Sequence, residues 1–158
     1  MKATKLIGTG PISPLHPCFP IKTVLDGIQF HSAASFLISL SIEDPTSQLV
    51  ACNQPPEVAI KLVNRTTGAM TGSRTANSVY WRGLKILKNS TNYDVLLDRM
   101  FVQLLQITSI KKSLEVALES DLILHPRAMR LIGQQINRDE YSRRLKGIKA
   151  GARNYATA

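Results

Sequence analysis

The chain has 158 residues, 44% of them hydrophobic, enough for a single domain with a sizeable core that needs no disulfide staples. That content excludes disorder over most of the length, and no apolar run is long enough to span a bilayer, since Phe36 to Ile42 is broken by serines. The formal net charge is +9, and residues 127–158, with 8 basic and 2 acidic side chains, hold a net +6 of it.

The first thirty residues read as extended or irregular. Pro11, Pro14, Pro17 and Pro20 recur every third residue, a spacing that forbids helix and suits an extended path. Thr23-Val24-Leu25 and Ile28-Gln29-Phe30 flank Asp26-Gly27, a hairpin signal. Ser32 then caps a helix expected to reach Ile42, with Ala33, Phe36, Leu37 and Leu40 on one stripe. Asp44-Pro45 pairs a cap with proline at the first helical position and starts a helix to about Cys52. Another is expected from about Pro56 to Asn64.

Residues 65–75, RTTGAMTGSRT, form the clearest internal loop, polar and nearly free of apolar bulk. Thr75 or Asn77 is expected to start a helix through Leu87, with Tyr80, Leu84 and Leu87 in register. After a turn at Asn89 to Asn92, Leu96, Leu97, Met100, Phe101, Leu104 and Leu105 recur at helical spacing and predict a helix from Tyr93 to Thr108. A shorter one follows from Ile110 to Leu118, then a brief extended segment at Asp121 to Leu124. His125-Pro126 breaks the chain before a basic helix from Arg127, which Gly147 and Gly151 weaken. The expected fold is mainly α within the α+β class: about six or seven helices with a small N-terminal β-hairpin. The division is a globular body over residues 1–140 and a basic C-terminal helix or tail over 141–158.

Chemistry-bearing residues are sparse. Cys18 and Cys52 lack metal-ligand spacing, and His16, His31 and His125 are scattered, so no metal site and no cofactor is expected. No P-loop, dinucleotide fingerprint or nucleophile elbow occurs. The start, MKATKLIGTG, has no apolar core of a secretory leader, so a reducing, cytoplasmic location is expected. Glu115 and Glu119 share a helical face close to Asp121. Such carboxylates can divide acid and base roles, or simply form a solvated acidic face. Trp81, between Tyr80 and Arg82, either stacks a base-like ring or anchors the core.

Three stretches together resemble the NADAR (YbiA-like) family. Leu25-Asp26-Gly27-Ile28-Gln29-Phe30-His31-Ser32 is similar to its L-D-G-x-x-F/W-x-S/T motif. Val58 to Arg65, leading to Trp81, is similar to its A-x-x-x-G-R segment before a tryptophan. Leu104-Leu105 through Leu114 to Asp121 is similar to its L-L-x-T, L-x-E and D run, and Gly133 matches a glycine of the closing helix. The resemblance covers residues from about 14 to about 140. It implies a mostly α fold with a pocket for ADP-ribose-like or nucleotide-like ligands. It also implies N-glycosidase activity on riboflavin-pathway intermediates or ADP-ribosylated guanine. The pocket residues it leaves are Trp81, Asp121 and Arg130, the last standing where the family has asparagine.

The departures fall on the chemistry. The family's Glu-His pair is Ala34-Ser35 here and its lysine is Ser41, none of them an acid, base or amine. The glutamate of L-x-E falls on Val116, and the tryptophan-glycine after the aspartate falls on Leu124 and His125.

Three functions follow as expectations. The first is a catalytically degenerate NADAR-like protein that binds an acidic macromolecule, nucleic acid or protein. Its surface would be Arg143, Arg144, Lys146, Lys149 and Arg153. The second is an active N-glycosidase with relocated carboxylates, Asp121 and Glu119, and Trp81 stacking the base. The third is a subunit of a larger assembly, in which partner contacts order the weak terminal stretch GIKAGARNYATA.

Overall fold

The computed structural model describes residues 6–7, 15–66, 78–88, 90–115, 122–123, 141, 143–145 and 147. Among them are five helices, further helical residues between 141 and 147, and three two-stranded sheets, an α+β fold. No helix among the described residues is long and apolar enough to cross a membrane.

Two short strands, β1 (Leu6–Ile7) and β6 (Leu122–Ile123), pair in parallel, so the start of the chain lies beside the extended segment expected near Asp121 to Leu124. Strands β2 (Thr23–Leu25) and β3 (Ile28–Phe30) form the expected hairpin. Its turn residues, Asp26 and Gly27, both have positive φ, 53° and 78°. That geometry matches the right-handed twist of the strands, and aspartate and glycine tolerate it best.

Helix α1 (Ala33–Ser39) starts at the Ser32 cap, whose hydroxyl accepts from the Ser35 N–H. It ends three residues before Ile42, because Asp44-Pro45 already opens α2 (Pro45–Cys52) with the Asp44 carboxylate on the Ser47 N–H. All of α1 is buried rather than one stripe, between α2, α3 (Pro56–Thr66) and β3. Its serines are tolerated because each hydroxyl is bonded: Ser35 donates to the Gln54 carbonyl at 2.6 Å and Ser39 to the Phe36 carbonyl at 2.7 Å.

The helix expected through Leu87 is instead a second hairpin, β4 (Ser78–Trp81) and β5 (Leu84–Leu87), joined by Arg82 and Gly83 at φ 54° and 84°. Tyr80, Leu84 and Leu87 fit a helical stripe by spacing alone. The tertiary partners of β4 decide otherwise, as propensity is a weak prior. The Tyr80 N–H donates to the Leu40 carbonyl at the end of α1. Gln48, fully buried in α2, donates to the Tyr80 carbonyl at 2.6 Å and accepts from the Arg82 N–H at 2.9 Å.

Helix α4 (Thr91–Leu104) is capped by Ser90 and buries Leu96, Leu97, Met100, Phe101 and Leu104, as the periodicity predicts, against β2 and β5. Helix α5 (Thr108–Glu115) follows, burying Ile110 and Leu114. Tyr141 and Leu145 are buried in the same core, Tyr141 edge-on to Phe101 at 5.1 Å. The segment expected as a basic tail beyond residue 140 is therefore packed on the globular body at these positions. The start of that helix at Arg127, the Pro11 and Pro14 path and most of the 65–75 loop lie outside the described residues.

Candidate functional site

The best-defined polar cluster is built around Asp26 at the tip of the first hairpin. Its carboxylate accepts the Trp81 indole N–H at 2.8 Å and one Arg99 Nη at 3.1 Å, while the second Arg99 Nη closes a fork on the other oxygen. One side chain thus joins the β2–β3 turn to the end of β4 and to the middle of α4. Arg99 holds the Asp26 carboxyl below its ordinary range, and the Trp81 N–H and the nearby Arg82 charge act the same way.

This arrangement fixes the role of Trp81. Its side chain is 4% exposed, its ring lies 5.1 Å from Phe36, and its one donor is taken by Asp26. Phe36 in turn sits 5.4 Å from Phe30. Of the two roles the sequence leaves open, the core anchor is the one this geometry fits. The other expected pocket residues, Asp121 and Arg130, lie outside the described residues, as does Glu119. Glu115 is exposed at the end of α5.

The positions where the resemblance puts the Glu-His pair are closed. Ala34 and Ser35 are fully buried, and the Ser35 hydroxyl is committed to the Gln54 carbonyl. Ser41 is half-buried.

Of the expected basic surface, Arg143 is exposed on the last helical stretch. Arg144 is not part of a free surface. It reaches Asp94 at 2.8 Å and Asp98 at 3.7 Å, with its guanidinium 5.9 Å above the Tyr93 ring. It docks the C-terminal segment on α4, where two carboxylates meet its charge. Lys146, Lys149 and Arg153 lie outside the described residues.

The remaining titratable groups are set by burial. Cys18 and Cys52 are free thiols pushed up to about 12, for which burial is the first cause and, at Cys18, Glu57 a second. Neither is a nucleophile at neutral pH. His16 is buried, accepts the Cys18 N–H at its Nδ1 at 3.0 Å, and is held below the ordinary imidazole range by desolvation. His31 is also lowered, by burial first and Lys22 next, against an opposing pull from Glu57, and its buried Nδ1 has no hydrogen-bond partner. Among the described residues no group of acidic, histidine and cysteine side chains could hold a metal ion.

A small cavity, about 230 Å³ including the space at its mouth, lies between the Leu15–Ile21 segment, α4, α5 and Tyr141. Its lining is apolar apart from His16 and Tyr141. Comparison with protein families, with curated proteins and with solved structures finds no match to the chain.

The sequence reading missed two residues, Asp26 as a side chain and Gln48. The Asp-Gly signal marks the turn, but nothing local shows that its carboxylate is used by residues 55 and 73 positions away. Gln48 carries no motif at all.

Proposed function

We propose that this chain is a catalytically degenerate NADAR-like protein that works as a binding module for an acidic partner. One observation carries the reading. The positions that the resemblance assigns to the family's Glu-His pair hold Ala34 and Ser35, buried in the core, with the Ser35 hydroxyl satisfied by the Gln54 carbonyl. A packed alanine and a spent hydroxyl can neither protonate a leaving base nor stabilise an oxocarbenium-like transition state. The net charge of +9 favours an acidic partner. Two free cysteines, both held as thiols, fit work in a reducing, intracellular compartment.

The test has two arms on the full chain. Incubation with ADP-ribosylated guanosine should release neither base nor ADP-ribose. Turnover that Asp121→Asn abolishes would establish the glycosidase instead. Binding of heparin, a polyanion probe, should weaken steadily as salt rises, as counterion release requires. A chain that ignores heparin at low salt is no acidic-partner module.

A further inference from the structure

The β4–β5 hairpin has one closed edge and one open edge. In a hairpin with a two-residue turn, the pair beside the turn, Trp81 and Leu84, exchanges both hydrogen bonds, and bonded and non-bonded pairs alternate from there. The backbone groups of Ser78 and Tyr80 on β4, and of Lys85 and Leu87 on β5, therefore face outward. On β4 those of Tyr80 meet the Leu40 carbonyl at the end of α1 and the Gln48 amide. On β5 only the Leu87 carbonyl is occupied, by the Ser90 N–H at 3.1 Å and hydroxyl at 2.6 Å. The N–H and C=O of Lys85 and the N–H of Leu87 have no partner among the described residues.

The same edge is apolar on both faces. Leu84 is 69% and Leu87 58% exposed, the two largest exposures among the large apolar side chains of the described residues. Their odd spacing puts them on opposite faces of the strand. A lone lysine is a common guard of an exposed edge, but two bare leucines beside it work against that guard.

We propose that the outer edge of β5 docks an acidic, extended segment of a partner protein, which adds to the hairpin as a third strand. This rests on the binding-module reading above and moves its site from the C-terminus to β5. Charge selects the occupant. Between Glu57 and Asp94 the sequence has Lys61, Arg65, Arg74, Arg82, Lys85 and Lys88 and no acid. The acids of the packed helix α4, Asp94 and Asp98, are both taken by Arg144. Arg82 and Lys85 are exposed and make no ion pair among the described residues. A second copy paired β5 to β5 would bring the Arg82, Lys85 and Lys88 charges of both copies to one seam. A nucleic acid would use the charge, but it offers nothing to an unpaired strand edge or to Leu84 and Leu87. An acidic peptide strand uses all three: ladder bonds to Lys85 and Leu87, cover for two leucines, carboxylates beside Arg82 and Lys85.

The experiment titrates the full chain with a blocked seven-residue peptide of alternating glutamate and valine. Controls are its lysine–valine counterpart, a glutamate–valine peptide N-methylated at alternate positions, a dT oligonucleotide and heparin. The glutamate–valine peptide is expected to bind and to slow hydrogen exchange at the Lys85 and Leu87 amides at least tenfold. Lys85→Glu should weaken it at least tenfold and admit the lysine–valine peptide. Leu87→Pro, which removes an outward N–H and no ladder bond, should abolish binding. If Leu87→Pro does not fold, Lys85→Glu and the N-methylated peptide carry the test. Equal binding of the N-methylated peptide, indifference to Lys85→Glu, or no peptide binding at millimolar concentration overturns the proposal. So does oligonucleotide binding in the peptide's place that Lys85→Glu removes, which assigns the edge to nucleic acid. Salt-sensitive heparin binding without peptide binding sinks this site alone, whereas loss of both sinks the module reading with it.

Discussion

The two hairpins share a turn geometry and differ in everything around it. Asp26-Gly27 and Arg82-Gly83 both place two successive residues at positive φ. The first hairpin buries one face: Leu25, Ile28 and Phe30 are in the core, Val24 and Gln29 are exposed, and Asp26 at its tip is held by Trp81 and Arg99. The second is enclosed on one strand only, with β4 in the core and β5 largely exposed. Each is locked by one polar side chain from outside its own strand pairing, Asp26 by charge and Gln48 by neutral hydrogen bonds. The first hairpin is fixed at its tip, while the second is pinned along one strand and presents the other as a rigid edge.

The lock of the second hairpin is expected to be the costlier one to break. Gln48→Ala removes donors to the Ser39, Ile42 and Tyr80 carbonyls and the acceptor for the Arg82 N–H, all at a fully buried side chain. Backbone groups stranded in this way cost about 3 kcal/mol together. For a chain of this length that lowers the melting temperature by roughly 6–12 °C, readable by calorimetry. A loss no larger than that of a surface substitution would mean that water replaces the amide and that Gln48 is no lock.

Asp26→Ala comes next, at about 2 kcal/mol, from two charge-assisted bonds and a buried indole N–H left without its acceptor. The figure is kept low because the Arg99 side chain is 44% exposed and screened by solvent. Asp26→Asn suits the positive φ and keeps one acceptor oxygen, so it should recover part of the loss. Equal losses for both variants would put the whole cost in the carboxylate's charge and none in the turn or in the indole bond.

How much of this was legible in the sequence follows from how local each device is. The first hairpin could be read because Asp-Gly is itself the turn preference. The caps Ser32 and Asp44 and the α4 stripe are likewise written within a few residues. The second hairpin could not be read, because Arg-Gly carries no such preference and the spacing of Tyr80, Leu84 and Leu87 imitates a helix. What makes it a hairpin is Leu40 and Gln48, some 32–40 positions upstream. The candidate sites divide in the same way. That Ala34 and Ser35 carry neither acid nor base was visible directly. That Arg144 meets α4 depends on Asp94 and Asp98, 50 and 46 positions away.

Acid should act first at the Asp26 tip, which ties the first hairpin to Arg99 and to Trp81 at the end of β4. His31, which follows β3, is held below its ordinary value, chiefly by burial. As the pH falls through about 6.5, the unfolded chain takes up this proton before the folded chain does, so stability falls with pH there. Asp26 is depressed as well, mainly by Arg99. Its contribution is complete above the ordinary carboxylate value of about 3.9 and is lost as pH falls below it through the lower folded value. Gln48 does not titrate. Amide exchange corrected for its intrinsic pH dependence should therefore show β2–β3 opening more readily below about pH 4, while the Tyr80 and Arg82 amides, bonded to Leu40 and Gln48, hold. Parallel loss in both would make the two hairpins one cooperative unit.

The smallest effect is a gain. Arg82 occupies a left-handed backbone position that costs a side chain such as arginine roughly 1 kcal/mol and costs asparagine much less. Its backbone N–H donates to Gln48 in either case. Arg82→Asn should therefore raise stability by about 0.5–1 kcal/mol, visible as a higher urea midpoint at unchanged slope. It also removes a positive charge beside β5, so peptide affinity should fall while the fold gains. That pairing of opposite signs gives the residue a reason to be arginine: a strained turn kept for what it presents at the open edge. An asparagine variant that gains stability and keeps full peptide affinity would leave Arg82 without that reason, and the charge selection at β5 would then rest on Lys85.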